Sequence, residues 1–152
     1  MARTTRLYQQ GLKIRKEIVG PGTVRRIKRS QNIAPVMDKL ANEICYGTLW
    51  ARTDKLDLRS RRWLTIATLI CLGKWRQLKT HMKGALRADV TKHELGEAIT
   101  HMAIYLGVPQ CFDALQMARD AVQELEDEAN PKAKKRGTRR RRRRKVQGPA
   151  QP

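Results

Sequence analysis

Apolar positions recur at helical spacing along most of the chain. Leu7, Tyr8, Leu12, Ile14 and Ile18, set among Arg, Lys and Gln, mark a first helix over 6–18, and Gly20-Pro21-Gly22 stops it. The basic stretch 23–29, with Val24 and Ile27 as its apolar anchors, reads as a helical turn or loop. Ile33, Val36, Met37, Leu40, Ala41, Ile44 and Cys45 then fall at i, i+3, i+4 and i+7, which predicts an amphipathic helix over 33–46. Gly47 opens a loop that runs through Trp50, Arg52 and Asp54 to Asp57.

Asp57 has the position and chemistry of an N-cap for a central helix over 59–72. That helix is apolar around nearly its whole circumference after Arg62, so neighbours are expected to surround it, and Gly73 suits a C′ position of positive φ. A helix over 74–87 alternates basic residues with Trp75, Leu78, Met82, Ala85 and Leu86. Thr91 and Glu94 have capping-box spacing and begin a helix to about Leu106, with Leu95, Ala98, Ile99, Met102, Ala103 and Leu106 as its apolar set. Pro109 fits the first turn of a last helix, whose stripe is Phe112, Leu115, Met117, Ala118, Ala121, Val122 and Leu125. The pattern predicts an all-α orthogonal bundle of five to six helices, with no internal repeat and no sustained heptad.

Composition agrees with helices: 40% of residues are hydrophobic and only 5% aromatic, with few runs that suit strands. At 152 residues the chain is long enough to bury a core as one domain. Cys45, Cys71 and Cys111 stand apart with no Cys-x-x-Cys pair, which suits neither a disulfide framework nor a zinc knuckle and points to a reducing cytoplasm. Each is expected to be a small core residue. No run approaches a membrane span or a signal peptide. Charge divides the chain in two. Eleven of the 33 Lys and Arg lie in 131–152 without one acid, leaving 22 basic against 14 acidic residues over 1–130. The domain boundary is therefore placed at 130, with a disordered polybasic tail after it.

All three histidines lie between Leu58 and Pro109. Lys74, Gln77 and His81 share a helical face, so His81 is either a general acid or base beside cationic groups or a partly exposed helix histidine without a role. Glu97 and His101 stand at i, i+4 and Tyr105 continues that face, which suits an oriented ring, a surface ion pair or a satisfied seam histidine. His93, in a first helical turn, has no assigned role. Trp50, Trp63 and Trp75 either wall a pocket or pack in the core. Phosphate loops, nucleophile elbows, paired carboxylates and His-Glu-x-x-His are absent, and no metal or other cofactor is expected.

Several segments resemble the gamma-carboxymuconolactone decarboxylases. They are Tyr8-Gln9-Gln10-Gly11-Leu12-Lys13-Ile14-Arg15 through Gly20, Tyr46-Gly47-Thr48-Leu49-Trp50-Ala51-Arg52, and Leu58-Arg59-Ser60-Arg61 with Leu64-Thr65-Ile66-Ala67. Leu78-Lys79-Thr80-His81, Gly84-Ala85-Leu86, Val90-Thr91-Lys92-His93-Glu94-Leu95, His101 and Tyr105-Leu106-Gly107-Val108-Pro109 complete the match. The resemblance implies the all-α fold shared with alkylhydroperoxidase D, assembled as a trimer or hexamer. It also implies cofactor-independent decarboxylation of 4-carboxymuconolactone to the enol-lactone of 3-oxoadipate, in the breakdown of aromatic compounds. On that model His81 is the acid/base residue, Arg52 holds a substrate carboxylate, Trp50 and Tyr105 shape the pocket, and His101 and Gln77 are further polar groups at the substrate. Arg62 and Gln77 occupy positions where Glu is common in the superfamily or the decarboxylases. Lys74 and Gln77 replace the Cys-x-x-Cys of the peroxidase branch, which argues against its thiol mechanism. A second reading is a catalytically retired member, an oligomeric platform whose residues 132–145 bind nucleic acid or another polyanion without sequence specificity.

Overall fold

The computed structural model describes residues 5–20, 22 and 33–131. Among them are six helical rods and no strand: α1 (Arg6–Val19), α2 (Pro35–Leu40) continuing as a π-helix (Ala41–Trp50), α3 (Leu58–Cys71), α4 (Trp75–Ala88), α5 (Lys92–Leu106) and α6 (Val108–Ala129). The expected all-α bundle is what the chain forms. The stretch 23–29 and residues 132–152 of the tail lie outside the described residues.

The helix starts are chemically specified. Thr5 Oγ1 accepts from Tyr8 N–H at 3.0 Å to open α1, and Asp57 Oδ1 accepts from Ser60 N–H at 2.9 Å to open α3. At α5 the capping box is complete: Thr91 Oγ1 accepts from Glu94 N–H at 3.1 Å and Glu94 Oε2 accepts from Thr91 N–H at 2.8 Å. Gly73, at φ +60°, lets the chain leave α3 in the left-handed region that side chains avoid. Pro109 sits in the first turn of α6.

Four expectations are corrected. The helix expected over 33–46 begins at Pro35 and does not stop at Gly47; it widens into the π-helix and carries on to Trp50, so the loop begins only afterwards. Thr48 Oγ1 reaches back five residues to Glu43 O at 2.8 Å, in keeping with the wider turn. Nor is α3 surrounded. Arg62, Ile66 and Ile70 are its buried residues, whereas Leu64, Cys71 and Leu72 are exposed. Cys71 is thus a surface thiol, Cys111 is buried and Cys45 half-buried. Phe112, expected in the apolar stripe of α6, is also exposed.

The larger core joins α3, α4, α5 and α6 around Ile66, Ile70, Leu78, Met82, Leu95 and Ile99. The inner face of α6 is Ala114, Ala118 and Ala121, and these short side chains let α6 lie close to its neighbours. Gln110 Nε2 closes the end of α3 by donating to Ile70 O at 2.6 Å. A smaller cluster joins α1 to the π-helix through Ile18, Val19, Tyr46 and Trp50, with Ile14, Cys45 and Leu58 against it. Backbones come closest at two glycines. A Cβ on Gly11 would stand 1.6 Å from Asn42 O, and one on Gly84 would stand 1.8 Å from Ile18 O. These contacts draw α1 onto the π-helix on one side and onto α4 on the other.

An ion-pair ladder ties α4 to α6. Lys79 and Lys83 reach Glu124 at 2.7 and 2.8 Å, and Lys83 and Arg87 reach Glu128 at 2.8 and 2.7 Å. Hydrogen bonds from Lys79 and Lys83 hold the Glu124 carboxyl below its ordinary value, and bonds from Lys83 and Arg87 do the same for Glu128. Burial pushes the Lys83 ammonium down, but its bonds to both carboxylates outweigh this and raise it. Because the two folded carboxyl values are depressed, their contribution is present above the unfolded value near 4.5 and is lost as pH falls through the folded values. Stability followed by urea melts should therefore decline below about pH 4.5, and the combined Glu124→Gln and Glu128→Gln variant should show a shallower decline. At neutral pH, Gly11→Ala should destabilise by about 1–3 kcal/mol, because the added methyl forces α1 off the π-helix.

Candidate active site

The π-helix presents a buried stripe at four-residue intervals. Asp38, Asn42, Tyr46 and Trp50 all face inward. In an α-helix of 3.6 residues per turn a four-residue stripe drifts around the axis; following one α-turn with the wider π-turn brings it back into line. Asp38 anchors the stripe. Its Oδ1 accepts from Arg15 Nη1 at 2.8 Å, and its Oδ2 accepts from the Tyr8 hydroxyl at 2.7 Å and from Asn42 Nδ2 at 3.2 Å. Arg15 Nη1 also donates to Asn42 Oδ1 at 3.2 Å. Burial, followed by the bond to Asp38, pushes the Tyr8 phenol up, so it remains a donor at neutral pH.

From this network a row of π-faces leads to α4. The Arg15 guanidinium lies 5.6 Å from the Tyr46 ring centre, Tyr46 is 6.2 Å from Trp50, and Trp50 stacks on the His81 imidazole at 6.3 Å with 24° between planes. His81 is half-buried, one helical turn beyond the exposed Gln77. Lys74, the N-cap of α4, is exposed as well. Arg52 lies two residues beyond Trp50, exposed, with its carbonyl accepting from Arg61 Nη2 at 2.8 Å. The Cys45 thiol beside this row is pushed up by burial and stays unreactive.

His101 and Tyr105 belong to another surface. Their rings meet at 5.5 Å on α5, both exposed. His101 lines a groove of about 560 Å³ between α3 and α5, floored by Trp63, Ile66, Ile70 and Ile99 and rimmed by Arg59, Glu94 and Glu97. Arg59 pairs with Glu94 across its mouth. Glu97 and His101, although four residues apart, form no ion pair among the described residues. His93 is exposed in the first turn of α5. The structure thus unites Trp50 with His81 and, separately, His101 with Tyr105. Arg15, Asp38 and Asn42 were not singled out from sequence; the four-residue spacing from Asp38 to Trp50 was the available signal.

Arg62 is a buried charge. Its side chain is 5% exposed, its Nη1 donates to Asp89 Oδ1 and Oδ2 at 3.2 and 3.3 Å, and its Nη2 stands 3.9 Å from Glu17. Its Nε has no partner. Among the described residues no three His, Cys, Asp or Glu side chains converge as metal ligands, and no helix is long and apolar enough to cross a membrane.

The fold is an all-α bundle whose π-helix and α4 bring Trp50 to a half-buried helix histidine, His81. Sequence comparison identifies which scaffold it is. The signature of the Carboxymuconolactone decarboxylase family matches residues 35–120, and the chain belongs to that family. It is 32% identical over 130 residues to a nitrosuccinic acid decarboxylase of Metarhizium robertsii, covering 84% of this chain and 89% of that protein. It is 31% identical over 119 residues to a 4-carboxymuconolactone decarboxylase of Acinetobacter baylyi, covering 78% and 88%. These relationships support a decarboxylase-like function.

Arg62 yields a stability prediction. Exchange of an incompletely satisfied buried guanidinium for an apolar chain of similar length is favourable when its partners can return to water, as Asp89 and Glu17 can. Arg62→Met should hold the melting temperature or raise stability by about 1–2 kcal/mol. A fall in calorimetric melting temperature would show instead that the Asp89 pair is net stabilising.

Proposed function

We propose that the protein is a cofactor-independent carboxy-lyase acting on 4-carboxymuconolactone or a related activated acid, with His81 as its acid/base residue. The supporting observation is His81 itself: half-buried on α4, with one face of its imidazole against Trp50 at 6.3 Å, in a chain related along most of its length to two decarboxylases. In the proposed reaction the bond between the ring carbon and the carboxylate breaks and CO2 departs. The electron pair left behind passes through the conjugated lactone to its carbonyl oxygen. A proton from the His81 imidazolium then goes to carbon, giving the enol-lactone, and solvent reprotonates the ring. The other relative's name fits the same logic, since a nitro group also accepts the pair that a departing carboxylate leaves.

Arg52 is proposed to bind a carboxylate through its guanidinium fork, at the mouth of the Trp50–His81 pair. Gln77 is proposed as a neutral hydrogen-bonding group one turn before His81. His101 and Tyr105 contribute to this site only if the chain assembles as a trimer or hexamer that brings their groove to His81 of another copy. A second reading, retention of the fold as a platform for polyanion binding, is favoured by the eleven Lys and Arg of 131–152.

A decarboxylation assay separates the readings. His81→Ala should lower turnover at least a hundredfold, in line with loss of a general acid, while protein ending at Asn130 should retain it. Retention of wild-type turnover by His81→Ala would remove that residue from the mechanism. Under the second reading no acid is turned over, and DNA binding disappears with the tail and weakens steeply with salt.

A further inference from the structure

We infer that Arg15 and Asp38 are positioning residues for His81: their buried ion pair sets the plane of Trp50, through Tyr46, against the imidazole. The inference rests on His81 being the acid/base group, but the geometry behind it is independent of the substrate. Asp38 is buried, and its hydrogen bonds among the described residues span helices or turns: Arg15 and Tyr8 come from α1, Asn42 from the next turn of its own rod. Such a carboxylate fixes the rotation of its rod as well as its distance from α1, because slipping either would leave a charge buried without partners. The π-helix makes that rotation consequential, since the same face that carries Asp38 and Asn42 carries Tyr46 and Trp50.

Apolar packing around the row is comparatively permissive. Ile14, Ile18 and Val19 touch Tyr46 and Trp50, and aliphatic contacts of this kind set separation more than ring angle. Angle is set by directional groups, which include the side-chain hydrogen bond between Cys45 and Trp50. The Arg15 guanidinium, held by two acceptors through one nitrogen, faces the Tyr46 ring, and Tyr46 meets Trp50 at 31°. Arg15 suits this place better than Lys, because a planar cation can satisfy oxygen acceptors and lie against a ring at once. Neither Arg15 nor Asp38 is proposed to touch substrate.

The test compares wild type with the Arg15→Met/Asp38→Leu double variant, in which a packed apolar pair replaces the ion pair without leaving a lone buried charge. The His81 imidazole C–H signal, identified by its loss in His81→Gln, should be displaced upfield by the Trp50 ring current, and Trp50→Leu should abolish that displacement. In the double variant the signal should move toward its Trp50→Leu position, and kcat should fall roughly ten- to a hundredfold with a much smaller change in KM. Glu128→Gln, in the α4–α6 ladder, should move neither. Arg15→Lys keeps the charge pair and should give an intermediate displacement, which holds the test open if the double variant does not fold. An unchanged His81 signal and kcat in folded Arg15→Met/Asp38→Leu or Arg15→Lys would overturn the inference. If wild type decarboxylates no acid, the functional reading fails while the spectroscopic arm still decides the positioning.

Discussion

The Asp38 carboxylate, buried between α1 and the π-helix and saturated by Arg15, Tyr8 and Asn42, is the constraint on which the rest of this structure depends. A buried charge tolerates few arrangements, and this one specifies which face of the second rod turns inward. Once that face is set, Gly11 can meet Asn42 backbone to backbone, Tyr46 and Trp50 enter the small cluster, and His81 acquires an aromatic wall. The larger core is built differently, mainly from aliphatic and alanine surfaces, with the buried Arg62 of α3 paired to Asp89 at the end of α4. The molecule therefore has a polar, orientation-specific half near His81 and an apolar, shape-filling half beyond it.

Much of this was legible in the chain. The starts of α3 and α5 follow from Asp57 and from the Thr91–Glu94 pair because capping needs particular oxygens at fixed offsets, a local requirement that sequence displays directly. The π-helix was not legible. Gly47 resembles a stop, and only its close fit beside Leu7 and Asn42 explains why a glycine is kept inside a continuing rod. The exposure of Leu64 and Leu72 was hidden for a similar reason: apolar periodicity says that a residue avoids water, not which surface covers it. At the candidate site, His81 was raised by helical spacing and Trp50 as a possible pocket wall, the resemblance gave both their roles, and the structure places the two rings together. Their support from Arg15 and Asp38 depends on contacts 23 residues apart in sequence, which no local pattern reports.

The closest glycine contacts hold α1 at backbone distance on both sides. With Gly11 against Asn42 and Gly84 against Ile18, α1 is held between the π-helix and α4 at backbone distance. The helix that supplies Arg15 is thus fixed relative to the helix that carries His81. Cavity-forming substitutions in the larger core would loosen α6 against its neighbours without disturbing that relation directly, because α1 takes no part in that cluster.

The α4–α6 ladder also governs how the chain's charge is balanced. Glu124 and Glu128 are already paired with Lys79, Lys83 and Arg87, two carboxylates against three cations, while Asp120 and Asp127 accept from Gln116 and Gln123. Acids nearest in sequence to the eleven cations of 131–152 are therefore largely committed within the bundle, which is itself basic. Electroneutrality has to come from outside the chain. The protein carries a counterion atmosphere weighted toward its C-terminal end, and its colloidal behaviour depends on which anions the surrounding solution supplies.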